Sequence, residues 1–154
     1  MDASYTSSIT EFAIVLAGFS GLVIAIGSKG GKSSPLTKHR TLCLLSFSFA
    51  AAFGSLLPAL ALSFGIPNIW TFSSYGLICI LLVAVIVVYL STRLLLNEEE
   101  RKKLAWYMYI LIYWVNAFLV FLLALMPTAG HFFIALVWQL IVSAILFTRL
   151  ILQS

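Results

Sequence analysis

Charge is what this sequence has least of. Only 9% of its 154 residues are Asp, Glu, Lys or Arg, while 62% are hydrophobic; a soluble domain carries about 25% and about 45–50%. Nine Lys+Arg and five Asp+Glu cannot coat a water-soluble fold of this length, so the chain reads as an integral membrane protein. Histidine and cysteine are scarce as well, two of each. His39 and His131 are expected at opposite membrane faces and so share no haem or metal. Cys43 and Cys79 differ in expected depth by roughly 20 Å at helical rise, beyond disulfide reach. No Ser–His pair, Asp pair or zinc set falls at one depth, so neither enzyme activity nor a cofactor is expected. The longest segment expected outside the bilayer, Ser28–Thr41, is too short to fold alone. Residues 1–154 therefore read as one membrane domain with no soluble catalytic or sensor unit.

Two long stretches hold no charge at all, Thr41 to Thr92 and Leu104 to Thr148. Each is about twice the ~20 residues that cross a bilayer core, so each must turn once. The turn chemistry sits mid-stretch: Gly65-Ile66-Pro67-Asn68 in the first, Pro127-Thr128-Ala129-Gly130-His131 in the second, with Pro and Gly stopping a helix at both. With an N-terminal apolar segment, the sequence predicts five transmembrane helices: Ile9–Gly27, Leu42–Phe64, Trp70–Leu96, Leu104–Met126 and Phe132–Leu152. Helices are required because lipid offers no partner to a free backbone group. A barrel is excluded by runs such as Leu81 to Val88, which do not alternate. The N-terminus lacks the basic region of a signal peptide, so the first span is expected to stay in the mature chain.

All nine basic residues fall on one side of this scheme: Lys29, Lys32, Lys38 and Arg40 in the first loop, Arg93, Arg101, Lys102 and Lys103 flanking the third span, and Arg149 at the end. Basic loops mark the cytoplasm, which puts the N-terminus outside and the C-terminus inside. The net charge of +4 then belongs to the membrane lip and its anionic headgroups, and no nucleic-acid partner is implied. Gly27 to Ser33 imitates a P-loop, but the spacing is one residue short of G-x-x-x-x-G-K-[ST] and a membrane helix precedes it; Pro35 also comes too soon for a phosphate-binding helix.

Polar residues inside the spans are few. Asn116 and Gln139 lie roughly 16 and 12 Å from the Pro127–His131 turn along their helices, so neighbouring antiparallel helices bring them into bonding range. Pro58 is expected to kink the second span, and Ser46, Ser48 and Ser55 to bond back to their own helix. Trp70, Tyr89, Trp106, Tyr107 and Tyr109 suit interfacial positions, while the deeper Tyr113 and Trp114 should face protein. Asn97 with Glu98 to Lys103 reads as a capped, solvated start of the fourth helix, with Glu98–Lys102 and Glu99–Lys103 pairs.

The first span carries the most information. Ala13, Ala17, Gly21 and Ala25 recur every four residues, the spacing that lets helix backbones approach closely. Ser4, Ser7, Glu11, Ile14, Gly18, Gly21, Ala25 and Ser28 follow a heptad seam. The candidate contact set for an oligomer or pore is Ser7, Glu11, Ala17, Gly18, Gly21 and Ala25. Glu11 has two readings: a capping-box partner of Ser8, or one of a ring of carboxylates at a pore mouth.

The run Glu11, Ala17-Gly18-Phe19-Ser20-Gly21-Leu22-Val23 resembles the E-x5-A-G-F-S-G-L-V opening of small uncharacterised bacterial inner-membrane proteins. The resemblance covers the first helix, implies a multi-pass protein of the inner membrane, and brings no activity with it. A glutamate in a first membrane helix is also similar to small multidrug transporters, but there it lies mid-helix in a four-span chain. Three function classes stay open: a homo-oligomeric channel or membrane-permeabilising protein with the first helix at its axis, a non-catalytic accessory subunit of a larger membrane complex, and a small transporter. Five spans show no two-fold repeat of the kind many transporters use. Expected partners are the bilayer and either further copies or other membrane subunits.

Overall fold

The computed structural model describes Glu11, Ile14, Val15, Gly18, Gly21 and residues 34–104 and 106–152. Glu11, Ile14, Val15, Gly18 and Gly21 are all helical; the remainder of the expected first span lies outside the described residues. From Ser34 onward the chain forms α1 (Pro35–Ser63), α2 (Ile69–Leu95), the one-turn α3 (Glu98–Lys102), α4 (Trp106–Leu125) and α5 (Ala129–Leu152). All but α3 are long and apolar enough to cross a membrane. No strand occurs among the described residues.

Local chemistry sets the helix ends. Ser34 caps α1, its Oγ accepting from Thr37 N at 3.2 Å, and Pro35 supplies the fixed φ of a first helical residue. The helix therefore starts well before the expected Leu42 and takes in Lys38, His39 and Arg40, so the loop expected to run to Thr41 is shorter. At the other end Gly65 adopts φ +66°, Ile66 N donates to Ala61 O and Gly65 N to Leu62 O, both at 3.0 Å. This is a Schellman stop, and the following Pro67 cannot continue a helix.

The link between α2 and α4 departs from expectation. Glu100 Oε2 accepts from Asn97 N at 3.1 Å, but the helix so started ends at Lys102 and α4 begins only at Trp106. α3 is thus a separate turn and not an extension of the fourth span. Lys103 falls at its C-cap, the i,i+4 register runs out, and among the described residues no ion pair joins these acids to Lys102 or Lys103. Arg101 Nη2 instead donates to Arg93 O at 3.0 Å, meeting one of the free carbonyls that end α2.

The four long helices run antiparallel in sequence order. α1 packs most extensively on α2 and next on α5, while α4 lies against α2 and α5. In lipid, apolar side chains gain little by leaving their surroundings, and helices associate through close packing and polar contacts. α1 is built for this: Ala50, Ala51, Ala52, Gly54 and Ala61 are all buried. A Cβ at Gly54 would stand 2.7 Å from Leu77 Cδ1 and 3.0 Å from Leu136 Cδ2, so α2 and α5 both close on α1 at that point. Bulky residues such as Phe53, Leu82, Phe118 and Ile134 point outward from the four helices, forming an apolar belt that suits lipid. Trp114, expected to face protein, is 72% exposed because its position on α4 falls opposite the buried line of Ile112, Asn116, Leu119 and Leu123. Tyr113 is half-buried against the cluster around Cys43.

Candidate functional site

Glu11, Ile14, Val15, Gly18 and Gly21 are exposed. At 3.6 residues per turn these positions fall within an arc of about 120°, which makes them one face. A Cβ added at Gly18 or Gly21 meets nothing within 4 Å among the described residues. The other residues of the candidate contact set, Ser7, Ala17 and Ala25, lie outside the described residues.

The structure brings Asn116 and Gln139 together. Gln139 Nε2 donates to Asn116 Oδ1 at 2.7 Å, and Asn116 Nδ2 donates to Ile112 O at 3.0 Å. Both side chains are buried, at 2% and 0% exposure. Gln139 Oε1 has no partner among the described residues, so the pair is held by one direct bond between α4 and α5. Of the serines expected to bond back, Ser46 donates to Leu42 O and Ser55 to Ala52 O, each at 2.7 Å. Ser48 Oγ does not; it is buried with no hydrogen-bond partner among the described residues.

A second polar centre overturns the expectation that no Ser–His pair falls at one depth. His39 is wholly buried, because α1 begins early enough to carry it between the helices. Its Nδ1 lies 2.8 Å from Ser91 Oγ on α2, and its Nε2 lies 3.6 Å from Cys43 Sγ one turn along α1. Ser91 spends its single hydroxyl proton on Val88 O at 2.8 Å. Nδ1 must then be the donor to Ser91, and the chain closes with Nε2 accepting from the Cys43 thiol. Tyr109 on α4 completes the group, its ring centroid 6.0 Å from that of His39. The sequence signal was the i,i+4 spacing of His39 and Cys43, legible only once Ser34-Pro35 is taken as the helix start.

This centre sits at the basic end of the bundle. The starts of α1 and α4 and the ends of α2 and α5 meet there, as the His39–Ser91 and His39–Tyr109 contacts and the 3.5 Å approach of Arg149 Nη1 to Met108 Sδ record. Lys38, Arg40, Arg93, Arg101, Lys102, Lys103 and Arg149 share that end. His131 stands at the other, its Nδ1 2.8 Å from Thr128 Oγ1 and 3.1 Å from Met126 O, closing the turn into α5. Cys43 and Cys79 are both free thiols. Among the described residues no group of three or more His, Cys, Asp and Glu could hold a metal. The open surface includes an apolar groove of about 580 Å³ between α1 and α2, lined by Phe49, Phe53, Cys79 and Val83 among others.

Four apolar helices of membrane-crossing length around a close-packed interior, with bulky apolar side chains turned outward, define a multi-pass α-helical membrane protein. Comparison of the chain with family models, curated proteins and solved structures returns no match.

Proposed function

We propose that the protein is a subunit of a homo-oligomeric assembly in a bacterial inner membrane. Its first helix makes the contact between copies around a narrow path, its N-terminus lies outside and its C-terminus in the cytoplasm. The observation that carries this reading is the exposed face of Glu11, Ile14, Gly18 and Gly21, whose glycines leave space for a second backbone among the described residues. Packing inside the bundle supports it. Leu44, Leu77, Leu81, Leu123 and Leu136 fill the interior at 0–1% exposure, so a path for polar solutes belongs between copies rather than within one. The gathering of the described basic residues at one end supports the orientation by the positive-inside rule. In the second reading, a non-catalytic accessory subunit turns the same face toward a different membrane protein.

Oligomeric state in mild detergent, followed by planar-bilayer recording, tests the proposal. A closed ring is expected, and Gly21→Leu should dissociate it without preventing insertion, since the new side chain fills the space between backbones. Glu11→Gln should keep the ring and lower cation preference. Unitary currents unchanged by that substitution would leave Glu11 a helix cap, because Gln serves equally in a capping box. A stable ring that passes no current would favour the accessory subunit. For orientation, a reporter active only in the cytoplasm should work when fused after Ser154 and fail when fused before Asp2.

A further inference from the structure

The buried centre near the start of α1 turns two metal-binding atoms toward one another. Cys43 Sγ and His39 Nε2 stand 3.6 Å apart on successive turns of the same helix, and both residues are wholly buried. The other ring nitrogen, Nδ1, gives its proton to Ser91 Oγ at 2.8 Å, because the Ser91 hydroxyl is spent on Val88 O. The lone pair of Nε2 is thereby held on the sulfur. A partner that fixes one nitrogen of the ring so that the other can bind is what stands behind most metal-ligating histidines.

Distance and charge select the ion. First-row ions bond imidazole nitrogen at roughly 2.0 Å and thiolate at roughly 2.3 Å, so donors at the His39–Cys43 spacing straddle an ion at an angle of roughly 115°. Side-chain rotation that opens the pair by about 0.7 Å makes the two bonds collinear. Two donors are too few for zinc, which takes four ligands in a closed site, but they suffice for a filled-shell monovalent ion. Leu44, Phe47, Val88 and Leu146 pack in one apolar cluster with Cys43, a dry wall that offers no oxygen ligand to a hard ion. A thiolate with a monovalent cation is neutral overall, whereas a divalent ion would leave a net charge buried without a partner, at high cost. Thiolate is also the donor that favours copper(I).

We propose that His39 and Cys43 bind one soft monovalent metal ion of the copper(I) class, with Ser91 as a positioning residue for the imidazole. The ion arrives as the complex of a small thiol. The bond from copper to the carrier sulfur breaks as the bond to Cys43 Sγ forms, and the Cys43 proton passes to the departing carrier sulfur. Nε2 then supplies the second bond, and the metal stays copper(I) throughout. His39 lies in the second turn of α1, where fraying of the helix end gives entry. This site is independent of the contact between copies proposed above.

Titration of the full chain, reduced and in mild detergent, against copper(I) held by the coloured chelator bicinchoninate tests it. Cys79→Ser removes the exposed thiol and serves as the reference, which should withdraw one copper per chain. In that background Cys43→Ser and His39→Leu should lose the metal to the chelator. Ser91→Ala keeps both ligands but frees the ring, and should weaken binding about 10–100-fold. X-ray absorption at the copper edge of the reference protein should show one sulfur and one nitrogen neighbour, which reads the site even where a ligand variant does not fold. Zinc(II) in excess should not displace the copper. No copper withdrawn by the reference, uptake that survives Cys43→Ser or is unchanged by His39→Leu, or a sulfur-only spectrum would overturn the proposal. Displacement by zinc(II) would overturn the assignment to a monovalent ion.

Discussion

The Asn116–Gln139 pair predicts an asymmetric response to substitution. Asn116→Leu removes the one partner that Gln139 Nε2 has among the described residues, leaving a buried amide whose Oε1 already lacks one. One interhelical bond in a membrane contributes on average about 0.6 kcal/mol and at most about 1.7. A buried amide left without partners costs about 1–3 kcal/mol more, so Asn116→Leu should destabilise by about 2–3 kcal/mol. Gln139→Leu forfeits the same bond and strands Asn116 Oδ1, but it also removes the orphaned Oε1. Asn116 then keeps its donor to Ile112 O, and the loss should be about 1 kcal/mol. With both residues Leu, nothing polar is stranded and the double variant should return to within about 1 kcal/mol of the parent, a coupling of about 2–4 kcal/mol. Unfolding by a denaturing detergent in mixed micelles, followed by tryptophan fluorescence, measures all four proteins. Asn116→Leu matching the parent, or a double variant at the sum of the singles, would refute the reasoning.

Substitutions at three further positions test other parts of the bundle by the same unfolding assay. Ser91→Ala strands the His39 Nδ1 proton in a wholly buried site and should destabilise by about 1–3 kcal/mol; an unchanged midpoint would show that another acceptor takes its place. Gly54→Ala presses a methyl against Leu77 and Leu136, both wholly buried, and should destabilise by about 1–3 kcal/mol. Gly54→Leu should stop α1 from seating on α2 and α5, seen as loss of a cooperative transition. Gly65→Ala places a Cβ at φ +66° and should destabilise by about 1 kcal/mol, since L residues resist the left-handed region; a neutral result would mean that the turn relaxes.

Helices α1, α2, α4 and α5 were legible because lipid enforces two simple rules. Charge is kept out of the core, and a backbone that leaves a helix needs Pro or Gly chemistry to do so. Equal depth was enough to pair Asn116 with Gln139, since antiparallel neighbours joined by a tight turn share a register. The basic end was harder. Lys38, His39 and Arg40 read as loop because charge dominates their neighbourhood, yet Ser34-Pro35 carries a strong start signal and puts all three on a helix. Rotational position was also hidden: nothing in the residues around Trp114 tells which side of α4 faces the bundle, because apolar side chains suit lipid and core alike. For the same reason the small-residue pattern pointed to the first span, while the equally small face of α1, from Ala50 to Gly54, went unread.

The contact between α1 and α5 bears on the order in which the bundle can be assembled. All of α2, α3 and α4 must be synthesised before α5 reaches the membrane, whereas α1 and α2 meet across a short turn as soon as both are out. A chain stopped at Met126 would hold a finished α1–α2 hairpin with Ala51 and Ala52, which pack against Leu140 of α5, still turned toward lipid. Such a flat, small-residue strip lets a foreign helix approach as closely as the native one does. The interval before Ala129 to Leu152 arrives is thus when the half-built protein is most open to a wrong neighbour. Seating of the last helix closes that interval.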